Sequence, residues 1–182
     1  MVGSTASLTT RSVIAATAPS RVKSGHTDVA VVYRRAMATK DSREVVIEAS
    51  PEQILDVIAD VEATPTWSPQ YQKAEILESY DNGRPKQVKM TVKAAGLTDE
   101  QVIEYTWGDN EVTWTLVSAS QLKAQDAGYT LTPEGDKTRV RFDIAIDLSV
   151  PMPGFILKRT MKGGVETATE GLRKQVLKVA KG

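Results

Sequence analysis

Thr138-Arg139-Val140-Arg141-Phe142-Asp143-Ile144-Ala145-Ile146-Asp147-Leu148 alternates along its length: Val140, Phe142, Ile144, Ile146 and Leu148 fall on one side, and Arg139, Arg141, Asp143 and Asp147 on the other. A period of two belongs to a strand with one buried and one solvated face. Pro151-Met152-Pro153-Gly154 stops the strand, and the period then changes. Leu157, Met161, Val165, Ala168, Leu172, Val176 and Val179 follow at steps of four, four, three, four, four and three, the stripe of one amphipathic helix. Gly163-Gly164 interrupts that helix. Two glycines cost about 2 kcal/mol of helix propensity, so a bend or a close backbone approach is expected there.

Working back from this strand, the same alternation recurs at short intervals. Val88, Met90, Val92 and Ala94 share one face of Gln87–Ala94, and Ile103, Tyr105 and Trp107 share one face of Glu100–Trp107. Gly108-Asp109-Asn110-Glu111 turns the chain into Val112–Leu116, and Pro133-Glu134-Gly135-Asp136 closes the segment Leu122–Thr132. Tyr71–Tyr80 precedes the hairpin turn Asp81-Asn82-Gly83-Arg84-Pro85. The first strand is Glu44–Glu48. After it, Ser50 is a helix N-cap, Pro51 takes the first helical position and Gln53 completes a capping box. Ile54, Leu55, Val57 and Ile58 give that helix an apolar face. Asp60–Pro65 reads as a second short helical turn, stopped by Pro65.

The order is therefore strand, two short helices, six strands and a long helix, an α+β domain whose strands are joined by hairpins after the first connection. An antiparallel sheet with one apolar face needs a cover, and the C-terminal helix is the element long enough to supply it. About seven twisted strands curl around such a helix. One helix cannot fill the hollow of so broad a sheet, so an apolar cavity is expected between them.

Composition narrows the chemistry. The chain of 182 residues carries 23 basic and 23 acidic residues, a net charge of zero, which argues against nucleic-acid binding. It has no cysteine, so disulfides, thiolate-bound metals and thiol catalysis are excluded. Its one histidine, His26, rules out a Ser-His-Asp triad in the domain and any multi-histidine metal site. No apolar run is long enough for a membrane-spanning helix. The zero total hides an asymmetry: residues 1–36 carry a charge of +4 and residues 37–182 a charge of −4. Residues 1–40 are expected to be a disordered N-terminal extension and 41–182 the folded domain. The origin of the extension stays open between a true tail, a transit-like segment and a start at Met37.

The order of elements, with certain local strings, resembles the START-like superfamily and its helix-grip fold. The strings are Ala49-Ser50-Pro51-Glu52-Gln53-Ile54, Ile58-Ala59-Asp60-Val61-Glu62 and Pro65-Thr66-Trp67, followed by Trp114-Thr115-Leu116, Gly128-Tyr129-Thr130-Leu131, Thr138-Arg139-Val140 and Asp147–Pro153. They look most like the small bacterial polyketide cyclase/dehydrase and lipid-transport branch, in its actinobacterial, mycobacterial members. The superfamily also includes coenzyme-Q-binding START proteins. The resemblance spans residues 43–181. It implies a seven-stranded curved antiparallel sheet, two short helices after the first strand, and a long C-terminal helix over an apolar cavity.

What the resemblance implies for function is the binding or transport of a small hydrophobic ligand: a lipid, a polyketide, an isoprenoid quinone or a similar molecule. Candidate ligand-binding residues are Trp67, Met90, Val92, Tyr105, Leu116, Phe142, Ile144, Met161 and Val165. No catalytic residue, metal or cofactor is implied, nor any particular protein partner, and a cytoplasmic location is expected. A second reading is a cyclase or aromatase, which needs a general acid or base in the cavity. Without His or Cys in the domain, Asp99, Glu104, Tyr105, Tyr129 and Arg141 are its candidates by residue type. A third reading is a protein-interaction module with a vestigial pocket.

Overall fold

The computed structural model describes residues 38–181. Strands β1 (Thr39–Ile47), β2 (Tyr71–Ser79), β3 (Pro85–Ala94), β4 (Leu97–Trp107), β5 (Glu111–Ser118), β6 (Leu122–Glu134) and β7 (Lys137–Leu148) form one sheet. Its order is β1-β7-β6-β5-β4-β3-β2, and each neighbouring pair is antiparallel. The long connection thus carries the chain from β1 to the far edge at β2, and successive hairpins bring it back until β7 pairs with β1. Inside that connection lie α1 (Pro51–Ala59), a 3-10 turn (Val61–Ala63) and α2 (Thr64–Trp67). After β7 come α3 (Gly154–Glu166), a π turn (Thr167–Gly171) and α4 (Leu172–Val179), which together form the C-terminal helix.

The capping box reads as expected. Gln53 N–H donates to Ser50 Oγ at 3.3 Å, and Ser50 N–H donates to Gln53 Oε1 at 3.0 Å. Two of the helix's orphan donors are thereby satisfied. The face Ile54, Leu55, Val57 and Ile58 is buried. Arg84, in the β2–β3 hairpin, pins the other side of α1 by donating to Leu55 O (3.0 Å) and Asp56 Oδ1 (2.7 Å). Ile47, Val88, Ile103, Val112 and Val140 of the sheet meet Ile54, Leu172 and Val176 of the helices in the core. The outer sheet face carries Arg139 and Arg141, exposed and paired with Glu134, Glu44 and Asp143.

Several boundaries differ from the sequence reading. β1 begins at Thr39 rather than Glu44, because Thr39–Arg43 finds a complete ladder opposite Phe142–Ile146. The expected extension 1–40 otherwise lies outside the described residues, Ala38 excepted. Pro65 does not stop a helical turn. It sits in the first turn of α2, where a missing N–H costs nothing. β6 continues through Pro133 to Glu134, and its turn narrows to Gly135-Asp136. The C-terminal helix is not broken at Gly163-Gly164. It stays α-helical there and inserts its extra residue one turn later, in the π turn. The close backbone approach falls at Gly171, where an added Cβ would lie 3.0 Å from the Trp67 carbonyl oxygen.

Ala95 and Gly96 join β3 to β4 with positive φ values of 51° and 80°. A two-residue hairpin turn of this kind needs φ > 0 at both positions, and alanine resists it. Ala95→Asn is therefore expected to stabilise the domain by about 0.5–1 kcal/mol, since Asn tolerates the left-handed region. The urea midpoint should rise; a fall would show that the turn is not held in this conformation.

Candidate functional site

The curved sheet and the C-terminal helix border two adjoining chambers. The inner chamber, of about 70 Å³, lies beneath α2 and is walled by the rings of Tyr105, Trp114, Tyr129 and Phe142. Neighbouring centroids in this cluster stand 4.8–5.9 Å apart. The outer chamber, of about 460 Å³, opens between the β3–β4 turn, the Gln121 loop and the start of α3. Gln70, Tyr71, Ile144 and Gly164 line both, so they form the neck.

Alternation along the strands sets the walls. On β7, Phe142 faces the inner chamber, Ile144 the neck, and Ile146 and Leu148 the outer chamber. Among the candidates, Trp67, Met90, Tyr105 and Phe142 line the inner chamber, Val92 and Met161 the outer one, and Ile144 both. Leu116 packs against the core and borders neither chamber. Val165 is buried in the core and contributes to a groove against β1 instead.

Polar residues in the walls went unselected. Tyr71 lines the neck, and Gln101, Gln121 and Gln125 border the outer chamber. The signal for Gln101 and Gln125 was present: each continues an inward-facing row, Gln101-Ile103-Tyr105 on β4 and Gln125-Ala127-Tyr129 on β6. An apolar row that turns polar at one end marks where a cavity meets polar atoms.

Asp99 is the carboxylate at the outer chamber, and its oxygens are engaged. Oδ1 accepts from the backbone N–H of Ser120 (2.8 Å) and Gln121 (3.2 Å), and Oδ2 accepts from Gln101 Nε2 (3.3 Å). It braces the β5–β6 loop. Glu104 accepts from Gln87 Nε2 (2.8 Å), and Arg141 is exposed within an ion-pair cluster; neither borders either chamber. Tyr129 O–H donates to Ala168 O at 3.0 Å. The π turn makes this possible, because Leu172 N–H donates to Thr169 O and leaves the Ala168 carbonyl for the sheet. Burial pushes the Tyr71, Tyr105 and Tyr129 hydroxyls up from the ordinary phenol range. They are neutral O–H donors at physiological pH, not bases.

Residues 38–177 match the family described as polyketide cyclase / dehydrase and lipid transport. The chain belongs to this family. It is similar to a START superfamily protein from Mycobacterium smegmatis, with 25% identity over 77% of this chain and 98% of that one, at a TM-score of 0.70. The Zhui aromatase/cyclase from Streptomyces sp. R1128 shares the fold at 12% identity, covering 79% and 96% of the two chains, with a TM-score of 0.68. A STAR-related lipid transfer protein from Xanthomonas axonopodis shares it at 16% identity, covering 75% and 85%, with a TM-score of 0.61. No curated protein matches the sequence. Family membership supports hydrophobic-ligand binding or polyketide cyclisation as the general activity. Among the described residues, no helix is long and apolar enough to cross a membrane, and no cluster of His, Cys, Asp or Glu is placed to hold a metal.

Proposed function

We propose that this protein binds and carries a small hydrophobic ligand of the lipid, polyketide or isoprenoid-quinone type in the space between the sheet and the C-terminal helix. The observation that carries the reading is the outer chamber of about 460 Å³, whose walls are largely aliphatic and which runs into an aromatic inner end. Such cavities hold apolar ligands through area alone. Burying about 300 Å² of ligand surface yields on the order of 7 kcal/mol before the costs of association. The cyclase reading has less support. It needs a group free to move a proton, whereas Asp99 is engaged by three donors and burial keeps the wall tyrosines protonated.

Native mass spectrometry of the protein purified from cells is expected to show a bound apolar molecule. NMR titration with undecane, a fatty acid, a short-tailed quinone and an aromatic polyketide should shift Trp67, Val92, Ile144 and Met161. If none of these compounds shifts those residues, the carrier reading fails and an interaction module takes its place. Turnover of a bound polyketide would move the assignment to the cyclase reading.

A further inference from the structure

The inner chamber is bordered by two phenol hydroxyls that no protein group among the described residues engages. Tyr71 and Tyr105 both line it. Among the described residues neither hydroxyl has a hydrogen-bond partner, and neither oxygen is among the sealed, unpartnered atoms, so both open on the cavity. Tyr129, on the same wall, differs: the Ala168 carbonyl satisfies it. Trp67 also lines the chamber, but its Nε1–H is sealed from the space and offers nothing to a ligand. Tyr71 is half-buried as a residue, but its hydroxyl end lies deep enough for burial to raise it. Buried donors left without acceptors are costly, and a ligand that brings an acceptor recovers that cost.

The remaining lining fixes the charge of that acceptor. Beside Ile58, Met90, Phe142 and Ala168 it includes the neutral polar residues Thr64, Ser68 and Gln70, and none of the inner-chamber residues is charged. A carboxylate placed there would be buried without a cation, which is strongly unfavourable. The chamber's size limits the group as well: about 70 Å³ takes a carbonyl and an adjoining carbon or two, given that a water occupies about 30 Å³ of liquid. The body of the ligand then lies in the outer chamber.

We propose that Tyr71 and Tyr105 form a recognition site for a neutral carbonyl oxygen, so that the inner chamber selects hydrophobic ketones or quinones, entering carbonyl first, over hydrocarbons and over carboxylate headgroups, for which the wall cation, Lys93, borders the outer chamber instead. This rests on the hydrophobic-ligand reading and adds to it a chemical class and two specificity-determining residues. Tyr105 is well placed for the task. Its own backbone carbonyl accepts from Tyr80 O–H at 2.8 Å, and its ring stacks on Trp107 at 5.5 Å, so the side chain is held in place before the ligand arrives. Tyr71 stands at the neck, where it meets the ligand between the two chambers.

The test uses the full chain and three probes of equal length: methyl nonyl ketone, undecane and undecanoate. Displacement of a fluorescent apolar dye reads their affinities in the natural protein, in Tyr71→Phe, in Tyr105→Phe and in the double variant. Each single change is expected to weaken the ketone about 5–10-fold and the double about 30-fold or more, with undecane unchanged within about twofold. Undecanoate should bind worse than the ketone at neutral pH. The infrared carbonyl stretch of the bound ketone should lie below its value in alkane solvent and return toward it in the double variant. Equal losses for ketone and undecane, or no loss for the ketone, would overturn the carbonyl site while leaving a hydrophobic carrier. Failure of ketone and undecane alike to bind the natural protein would overturn both readings.

Discussion

Gly164→Leu is expected to abolish ligand binding while leaving the domain at least as stable as before. Gly164 lines both chambers, so it sits in the neck. A Cβ added there would meet no atom within 4 Å, because it would project into open space. The residue is in α3 with no positive φ, so a leucine side chain strains nothing in the backbone. Helix propensity alone then favours the variant by about 0.8–1 kcal/mol. The isobutyl group blocks passage from the outer to the inner chamber and removes the space the ligand needs. Affinity for methyl nonyl ketone should fall at least about 100-fold, equivalent to about 2.7 kcal/mol. Calorimetric titration checks the affinity and thermal unfolding followed by circular dichroism checks the fold. Gly163→Ala is the control, because Gly163 borders only the outer chamber. Undiminished binding by a folded Gly164→Leu protein would remove the ligand from the space between sheet and helix.

The contrast between Gly164 and Gly171 shows how far sequence reasoning reaches. Both glycines lie in the same C-terminal helix. The pair 163–164 draws attention because it is a pair, yet the helix runs through it regularly, while the crowded position is the lone Gly171 beneath the Trp67 carbonyl. Sequence records the missing side chain but not what approaches it. The strands were legible for a different reason: their alternation is local, and the Ser50–Gln53 cap is a contact between neighbours in the chain. Hairpin turns then left few ways to order the sheet.

The candidate site was legible only in part. Alternation assigns a residue to the inner face of the sheet, but does not say whether that position borders a void or is covered. Leu116 and Phe142 illustrate the limit. Both follow an apolar row, yet Leu116 packs against the core and Phe142 lines the inner chamber. Tyr71 was hidden by a break in register beside it, where β2 shifts against β3 between Tyr71 and Lys73. The bulge interrupts the period of two that would have marked it as inward-facing. The π turn was likewise invisible, since the Tyr129 hydroxyl that takes up its Ala168 carbonyl is 39 residues away in the chain.

Trp114→Ala is expected to destabilise the domain by about 3–5 kcal/mol, the usual cost of deleting a large buried aromatic. Trp114 is 7% exposed, and its ring centroid lies 5.4, 5.8 and 5.9 Å from those of Tyr105, Tyr129 and Phe142. It joins Tyr105 of β4 to Tyr129 of β6 and Phe142 of β7, which also touch each other at 4.8 Å, so its loss detaches Tyr105 from that pair and leaves a gap beside all three rings. Domains of this kind are stable by only about 5–15 kcal/mol in total, so the variant approaches unfolding at room temperature. The gap it leaves joins the inner chamber, because Trp114 forms part of that wall. A ligand entering the enlarged chamber should therefore restore some of what the mutation removes. At a hundredfold excess over its dissociation constant, a ligand that binds only the folded state contributes about 2.7 kcal/mol. Urea unfolding with and without methyl nonyl ketone measures both effects. The expected result is a large drop in midpoint for the free variant and a larger ligand-induced recovery than in the natural protein. A loss under about 1 kcal/mol, well below the range for such deletions, would mean that the aromatic cluster lines the cavity without holding the sheet together.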